Sequence, residues 1–482
     1  MNKKNQVFKA LMLTLLLIYC NSSKAQKHPA QREKIGKEFR ALNAGLAQGW
    51  NTWDTWSVLC HAILPEGFAI NLQLLHHQSG DTLKEALIGR EDFGTKEHVI
   101  PGPHAYDGSY TELIVDWHKM RVRVQSASIG RQLFLLISPI DNLPDDSILV
   151  SSKMLWSKKG DITINNGTIK ASMPASTINI SIVGGRYTSK ADCLKVSLSE
   201  VAALSSDPSK STNDVKKIIN ETREKFLAER SKYKDASESF NAIQTALAWN
   251  VIYEPTKNRV ITPVSRLWNV GWKGWTLFEW DTYFAAYMLS LDSKELAYAN
   301  AIAMTKEITA SGFIPNFGSS VSTSEDRSEP PVGALVVKEI YQKYREKWFL
   351  NELFDDLLRW NRWWADNRDI DGYLCWGSDP YVPGNIPAYL IRGIGTKKGA
   401  QWESGLDNSP MWDDAVFDTV KHRMLLADVG LMSLFITDCH SLSEIATVLG
   451  KTEKAKELTE RAGKYARKLA TLWDDQFGLY LN

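Results

Sequence analysis

The chain has 482 residues, more than one ordinary core fills, so two domains are the expectation. With 44% apolar and 23% charged residues and a formal net charge of +1, it has the composition of a folded globular protein. It carries neither the basic patch that nucleic acid needs nor the acidic tail of a scaffold. Its 18 tryptophans are the departure: tryptophan-lined clefts suit carbohydrate, although large cores also consume the residue.

Residues 1–25 read as a cleavable export leader. Lys3, Lys4 and Lys9 form a basic start, Ala10 to Cys20 is an apolar run too short for a permanent span, and Ser23-Lys24-Ala25 offers a small-x-small cleavage site. Bulky Tyr19 argues against lipid anchoring, so a periplasmic or extracellular destination is expected. Cys60, Cys193, Cys375 and Cys439 are scattered without metal-type spacing. Buried free thiols are the favoured reading, with a disulfide as the lesser alternative. No metal or other cofactor is implied.

Residues 26–204 read as a β-sandwich. Leu113, Val115 and Trp117 alternate, as do Val122 and Val124, and Ile178, Ile180 and Ile182 give a further strand. Phe134 to Ile137 is a short apolar run, and Asn166-Gly167 is the turn of a hairpin within Asp161 to Ala171. The three tryptophans of GWNTWDTWSV (Trp50, Trp53, Trp56) could face sugar, but core packing is favoured.

Residues 205–239 are polar and then helical, as a linker between domains would be. From 240 to 482 helical periodicity takes over: 240–253, 280–289, 294–309, 332–345, 351–365, 415–447 (read as two helices) and 452–472. The intervening loops 254–279, 311–331 and 367–410 are long and rich in Trp, Gly, Pro and Asp, which favours function. Such helical hairpins with chemistry on their loops describe a toroid. Twelve helices complete an (α/α)6 ring; about eight are read here, and residues 477–482 read as a strand without its partner. The ring is therefore expected to be incomplete.

The densest chemistry is QWESGLDNSPMWDD, residues 401–414. Gly405 and Pro410 bracket Asp407 and place its carboxylate on a rigid turn, while Trp402 and Trp412 flank it with apolar faces that can raise its pKa. The bland alternative is a surface loop pinned by tryptophans. Glu403 reads as a residue that orients the loop, and Asp413 and Asp414 as complements to the dipole of a following helix.

WESGLDNSP, together with FEWDTYF (278–284) and RSEPP (327–331) upstream, resembles the signature segments of the six-hairpin glycosidases. These comprise glycoside hydrolase family 63 with its mannosylglycerate hydrolase and trehalase relatives. The resemblance covers 240–482 and implies an inverting glycoside hydrolase acting on α-glucosides or related α-glycosides, with a sugar or small glycoside as its partner. It implies that Asp407 is the general acid and that Phe278, Trp280, Asp281, Glu329 and Gly405 line the innermost sugar subsite. It also implies a general base, a Glu, beyond residue 482. Glu329 stands where the family has Gln, which loses an amide donor. Asp281 could alternatively only cap its helix. A non-catalytic sugar-binding protein and a toroid lyase or isomerase are the other readings, the latter weakened because no His lies in the three motif loops.

Overall fold

The computed structural model describes residues 36–90, 97–383 and 388–482; the leader expected over 1–25 lies outside them. Residues 49–205 form two antiparallel sheets. The first runs, in spatial order, Gly49–Asn51, Cys60–Leu64, Phe68–Leu75, Ser147–Met154, Cys193–Ser197 and Tyr187–Ser189, with Thr82–Leu83 paired to Phe68–Leu75. The second runs Asp161–Asn165, Thr168–Met173, Ser176–Gly184, Ala202–Ser205, Gln132–Pro139, Met120–Ile129, Tyr110–Trp117 and Glu97–His104.

Alternation explains both sheets. Leu113, Val115 and Trp117 point the same way as Val122 and Val124 on the neighbouring strand, and with Ile70, Leu72, Ile148 and Val150 of the other sheet they make one buried cluster. Asn166 and Gly167 both adopt positive φ between the paired ends Asn165 and Thr168, as a two-residue hairpin turn demands. Trp50 and Trp53 are buried and Trp56 is partly open, so the core reading holds for the first two. Cys60, Cys193, Cys375 and Cys439 are free and buried.

Two helices flank this β part: α1 (Lys37–Leu46) and α2 (Thr212–Arg230). The second occupies the stretch expected to be a linker, and it lies on the eight-stranded sheet. Val215 and Ile219 are buried there against Tyr110, Phe134 and Ala203, and Arg223 reaches Glu112 at 2.9 Å. Ser211 and Asp214 close a capping box that sets where α2 starts.

The helical part follows with α3 (Ser237–Asn250), α4 (Arg266–Gly271), α5 (Glu279–Leu289), α6 (Lys294–Thr305), α7 (Gly333–Tyr344), α8 (Lys347–Asn367), α9 (Lys397–Glu403), α10 (Val429–Val448) and α11 (Thr452–Ala470). Helices α5 and α6, and α10 and α11, pack as successive pairs, while α5, α7 and α10 pack in series. Helix α8 shows why: Phe349, Leu353, Leu357, Trp360 and Trp364 recur at three- and four-residue spacing and are all buried. None of the described helices is long and apolar enough to cross a membrane.

Two expectations need correction. Residues 415–428 form no helix: Phe417–Asp418 pairs with Arg423–Met424, and α10 begins only at Val429, where Asp428 Oδ1 accepts from Leu431 N at 2.7 Å. Val416 and Val420 stand four apart, as on one helix face, yet both are exposed and so bury no stripe. The C-terminal strand does have a partner. Leu479–Tyr480 pairs with Trp473–Asp474 around a turn in which Asp474 Oδ1 accepts from Gln476 N (2.8 Å) and Phe477 N (2.9 Å).

Candidate active site

The site is assembled by backbone pairing between distant loops. Thr276–Phe278 pairs with Phe317–Ser319, setting Phe278 opposite Phe317. Glu279 N donates to Asn316 O (3.0 Å) and Asn316 N to Arg327 O (3.1 Å), which draws the FEWDTYF and RSEPP segments together. Glu329 locks the junction: Oε2 accepts from Trp280 N at 3.2 Å and Oε1 from Asn316 Nδ2.

The third segment is fastened by Glu403, which is fully buried at the end of α9. Its carboxylate accepts from Arg368 Nε (2.7 Å) and Nη2 (2.9 Å), from Ser328 N (3.0 Å) and from Gly377 N (2.6 Å). Burial alone would lower the Arg368 guanidinium, but the Glu403 and Asp379 carboxylates outweigh it and hold it above its usual value. Glu403 is thus a scaffold, as its orienting role implies. Two residues on, Gly405 has φ +68°, and a Cβ there would meet Trp280 Cζ2 at 2.4 Å. The glycine is explained by this approach to Trp280 and by its backbone conformation. Buried Trp412 anchors the far side of the turn through Nε1 to Leu406 O at 2.8 Å.

The outcome is one cavity of about 370 Å³, and Phe278, Trp280, Asp281, Glu329, Gly405 and Asp407 all line it. Asp281 is the third residue of α5 and Phe278 holds the cap position, so the capping alternative fails while the cavity position stands. Burial raises the Asp281 carboxyl. Burial also raises Asp407, against the lowering effect of Lys398 and Arg327. Glu329 is pushed well above the carboxylate range, by burial first, then by Asp281, with Asp407 adding to it. A neutral carboxylic acid at 329 has one O–H donor as well as acceptors, so the position regains much of what a Gln would offer.

Several lining residues were not singled out from sequence. Arg327 is buried, donates through Nη1 to both oxygens of Asp326 (3.0 and 2.8 Å) and stacks over Trp402 at 4.9 Å. Trp268 and Tyr389 present exposed rings, and Trp272 packs edge-on to Phe317. The tryptophan-rich loop 254–279 was the available signal for Trp268 and Trp272. Asp413 and Asp414 are exposed outside the cavity, and no helix starts beside them.

Residues 274–482 match the family described as the mannosylglycerate hydrolase MGH1-like glycoside hydrolase domain. Among curated relatives, a glucosylglycerate hydrolase of Mycolicibacterium hassiacum is 31% identical over 106 residues, 20% of this chain and 19% of that protein. Mannosylglycerate hydrolase MGH1 of Selaginella moellendorffii is 30% identical over 93 residues, 18% of this chain and 15% of the relative. The chain thus aligns with under a fifth of the length of these relatives. A family 63 mannosylglycerate hydrolase structure from Thermus thermophilus superposes with TM-score 0.33 at 19% identity, covering 42% of this chain and 60% of that one. A bacterial glucoamylase structure superposes with TM-score 0.42 at 12% identity, covering 88% and 67%. All three motif segments fall within the matched residues 274–482, whereas α3 and α4 precede them.

Proposed function

We propose that this chain belongs to an exported glycoside hydrolase that cleaves α-glucosides or related α-glycosides with inversion. In this reading the two sheets are an N-terminal sandwich (26–204), residues 205–239 lead out of it, and the helical pairs of 240–482 are part of an (α/α)6 toroid. Relatives named for glucosylglycerate and mannosylglycerate make α-glucosides and α-mannosides the first substrates to try. The observation that carries the proposal is that six residues taken from three separate motifs line one cavity.

Trp280 and Phe278 supply apolar faces for the innermost ring, and Asp281 and Glu329 meet its hydroxyls. Asp407, raised by burial, holds a proton for the departing glycosidic oxygen. Water then adds at the anomeric carbon from the opposite face, its proton passing to a second carboxylate roughly 6.5–9.5 Å from the acid. By the resemblance, that base is a Glu, and none of the described residues is assigned the role. No cofactor takes part in these steps.

Asp407→Asn keeps size and shape but removes the proton. In the intact protein it is expected to lower turnover of the best α-glycoside by about 10²–10⁴-fold with the melting temperature unchanged. Turnover equal to the parent's would refute the acid assignment.

A further inference from the structure

A second cavity, about 760 Å³, adjoins the first, and Val264 and Trp268 line both. One wall comes from the β part, at Ile88, Pro101, Gly102 and Pro103, and the facing wall from Ala242, Thr245, Ala246 and Trp249 of α3. The walls are tied together, because Trp249 Nε1 donates to Gly102 O at 2.8 Å. Arg266 fixes the third side by donating to Asp54 O (3.3 Å) and Val251 O (2.9 Å), joining the loop that follows Gly49–Asn51 to the end of α3.

The lining decides what could sit there. It is dominated by aliphatic, prolyl and indole surface, and its Arg266 and Asn250 side chains are largely engaged. Both Arg266 terminal nitrogens are occupied, while Asn250 donates to Ala246 O (3.1 Å) and accepts from Arg266 N (3.3 Å). Asn241 Oδ1 and Arg266 Nε are buried without a partner, and Thr245 adds one hydroxyl, a sparse set beside the several hydroxyls of a sugar. A polyhydroxylated ring would give up water without gaining matching partners, which is unfavourable for each hydroxyl left over. A flat apolar ring would bury its faces at no such cost. Trp268, 47% exposed on the shared rim and braced edge-on by Phe278 at 5.1 Å, offers a platform facing such a ring. The volume falls within the range of small-molecule sites and is far more than a three-carbon acid fills.

We propose that the second cavity binds an aryl aglycone, attached to the sugar that occupies the cavity of Asp407. The inference rests on the glycosidase reading of that first cavity.

Calorimetric titration with phenyl and methyl α-D-glucopyranoside, and with the corresponding α-D-mannopyranosides, tests it without needing turnover. The phenyl glycoside of the preferred sugar is expected to bind at least about tenfold tighter than the methyl glycoside, or about 1.4 kcal/mol. Ala246→Trp and Ala242→Phe each fill the cavity from an exposed helix position. Each should cut that advantage below about threefold while leaving methyl glycoside affinity unchanged. No phenyl advantage in the parent, or an advantage that survives both variants, overturns the aryl site alone. Binding of none of the four glycosides overturns the sugar cavity, and the aryl site with it.

Discussion

Glu403, the last residue of α9, and Asp407 lie four residues apart, yet their surroundings are opposite. Glu403 is enclosed by four donors, two from Arg368 and two from backbone amides. Burial raises it on balance, although all four donors pull the other way. Asp407 faces a cavity shared with two other carboxyls, Asp281 and Glu329, and all three are raised by burial. A carboxylate whose acceptors are all filled has no capacity left for a ligand and serves to fix geometry. A carboxyl raised by burial whose oxygens face a cavity is available for chemistry. The scaffold is what keeps the reactive turn in place.

The comparison breaks most violently from the paired side. Arg368→Met removes the cation from a fully buried pair and leaves the Glu403 charge with only the Ser328 and Gly377 amides. Breaking such a pair costs about 3–5 kcal/mol, and urea denaturation should show a loss of that size. Replacing both partners, Arg368→Met with Glu403→Gln, should recover part of it, because no lone buried charge remains. A single-variant loss below about 1 kcal/mol would mean the pair is not the loop's anchor.

The cavity side is sharpened by pH. Burial raises Glu329 and also Glu279, which is fully buried and whose carboxyl oxygens have no partner among the described residues. A folded-state pKa above the unfolded one means that the folded protein binds the proton more tightly. The stabilising contribution is therefore complete below the unfolded value near 4.5 and is lost as pH climbs toward the raised folded value. Each such carboxyl adds at most about 1.4 kcal/mol per pH unit to the decline. Glu329→Gln keeps an acceptor for Trp280 N and removes the titration, so melting temperatures between pH 4.5 and 8 should fall less steeply than in the parent. An unchanged slope would show that Glu329 is ionised throughout, and the resemblance to a Gln at that position would be lost.

How far the sequence reached follows the same division. Strands with one buried face were legible because their period of two is local, as at Leu113, Val115 and Trp117. Helix α8 was legible from its buried stripe for the same reason. Phe278, Trp280, Asp281, Glu329, Gly405 and Asp407 were legible through the three motif segments, whereas Trp268 and Tyr389, outside them, were not. Arg368 was not, since its partner Glu403 lies 35 residues away and no local pattern records the meeting. Nor was the chemical state of Glu329, because its raised pKa comes first from burial and then from Asp281, which reaches it only through folding. Residues 415–428 misled in the other direction: Val416 and Val420 carry a helical spacing that no neighbour covers.

The same loop supplies its own control. Asp413 and Asp414 continue the acidic run past Asp407, and in sequence they read as complements to a helix dipole. The helix they would serve begins at Val429, and both side chains are exposed. The contact at Asp413 that spans the loop uses its backbone, Lys397 Nζ donating to Asp413 O at 3.3 Å. Asp413→Asn and Asp414→Asn therefore leave that contact intact and should change stability by no more than about 0.5 kcal/mol by urea denaturation. Turnover should stay within about twofold of the parent. If either substitution instead matched Asp407→Asn, proximity along the chain, and not enclosure in the cavity, would be what makes an acid in this loop reactive.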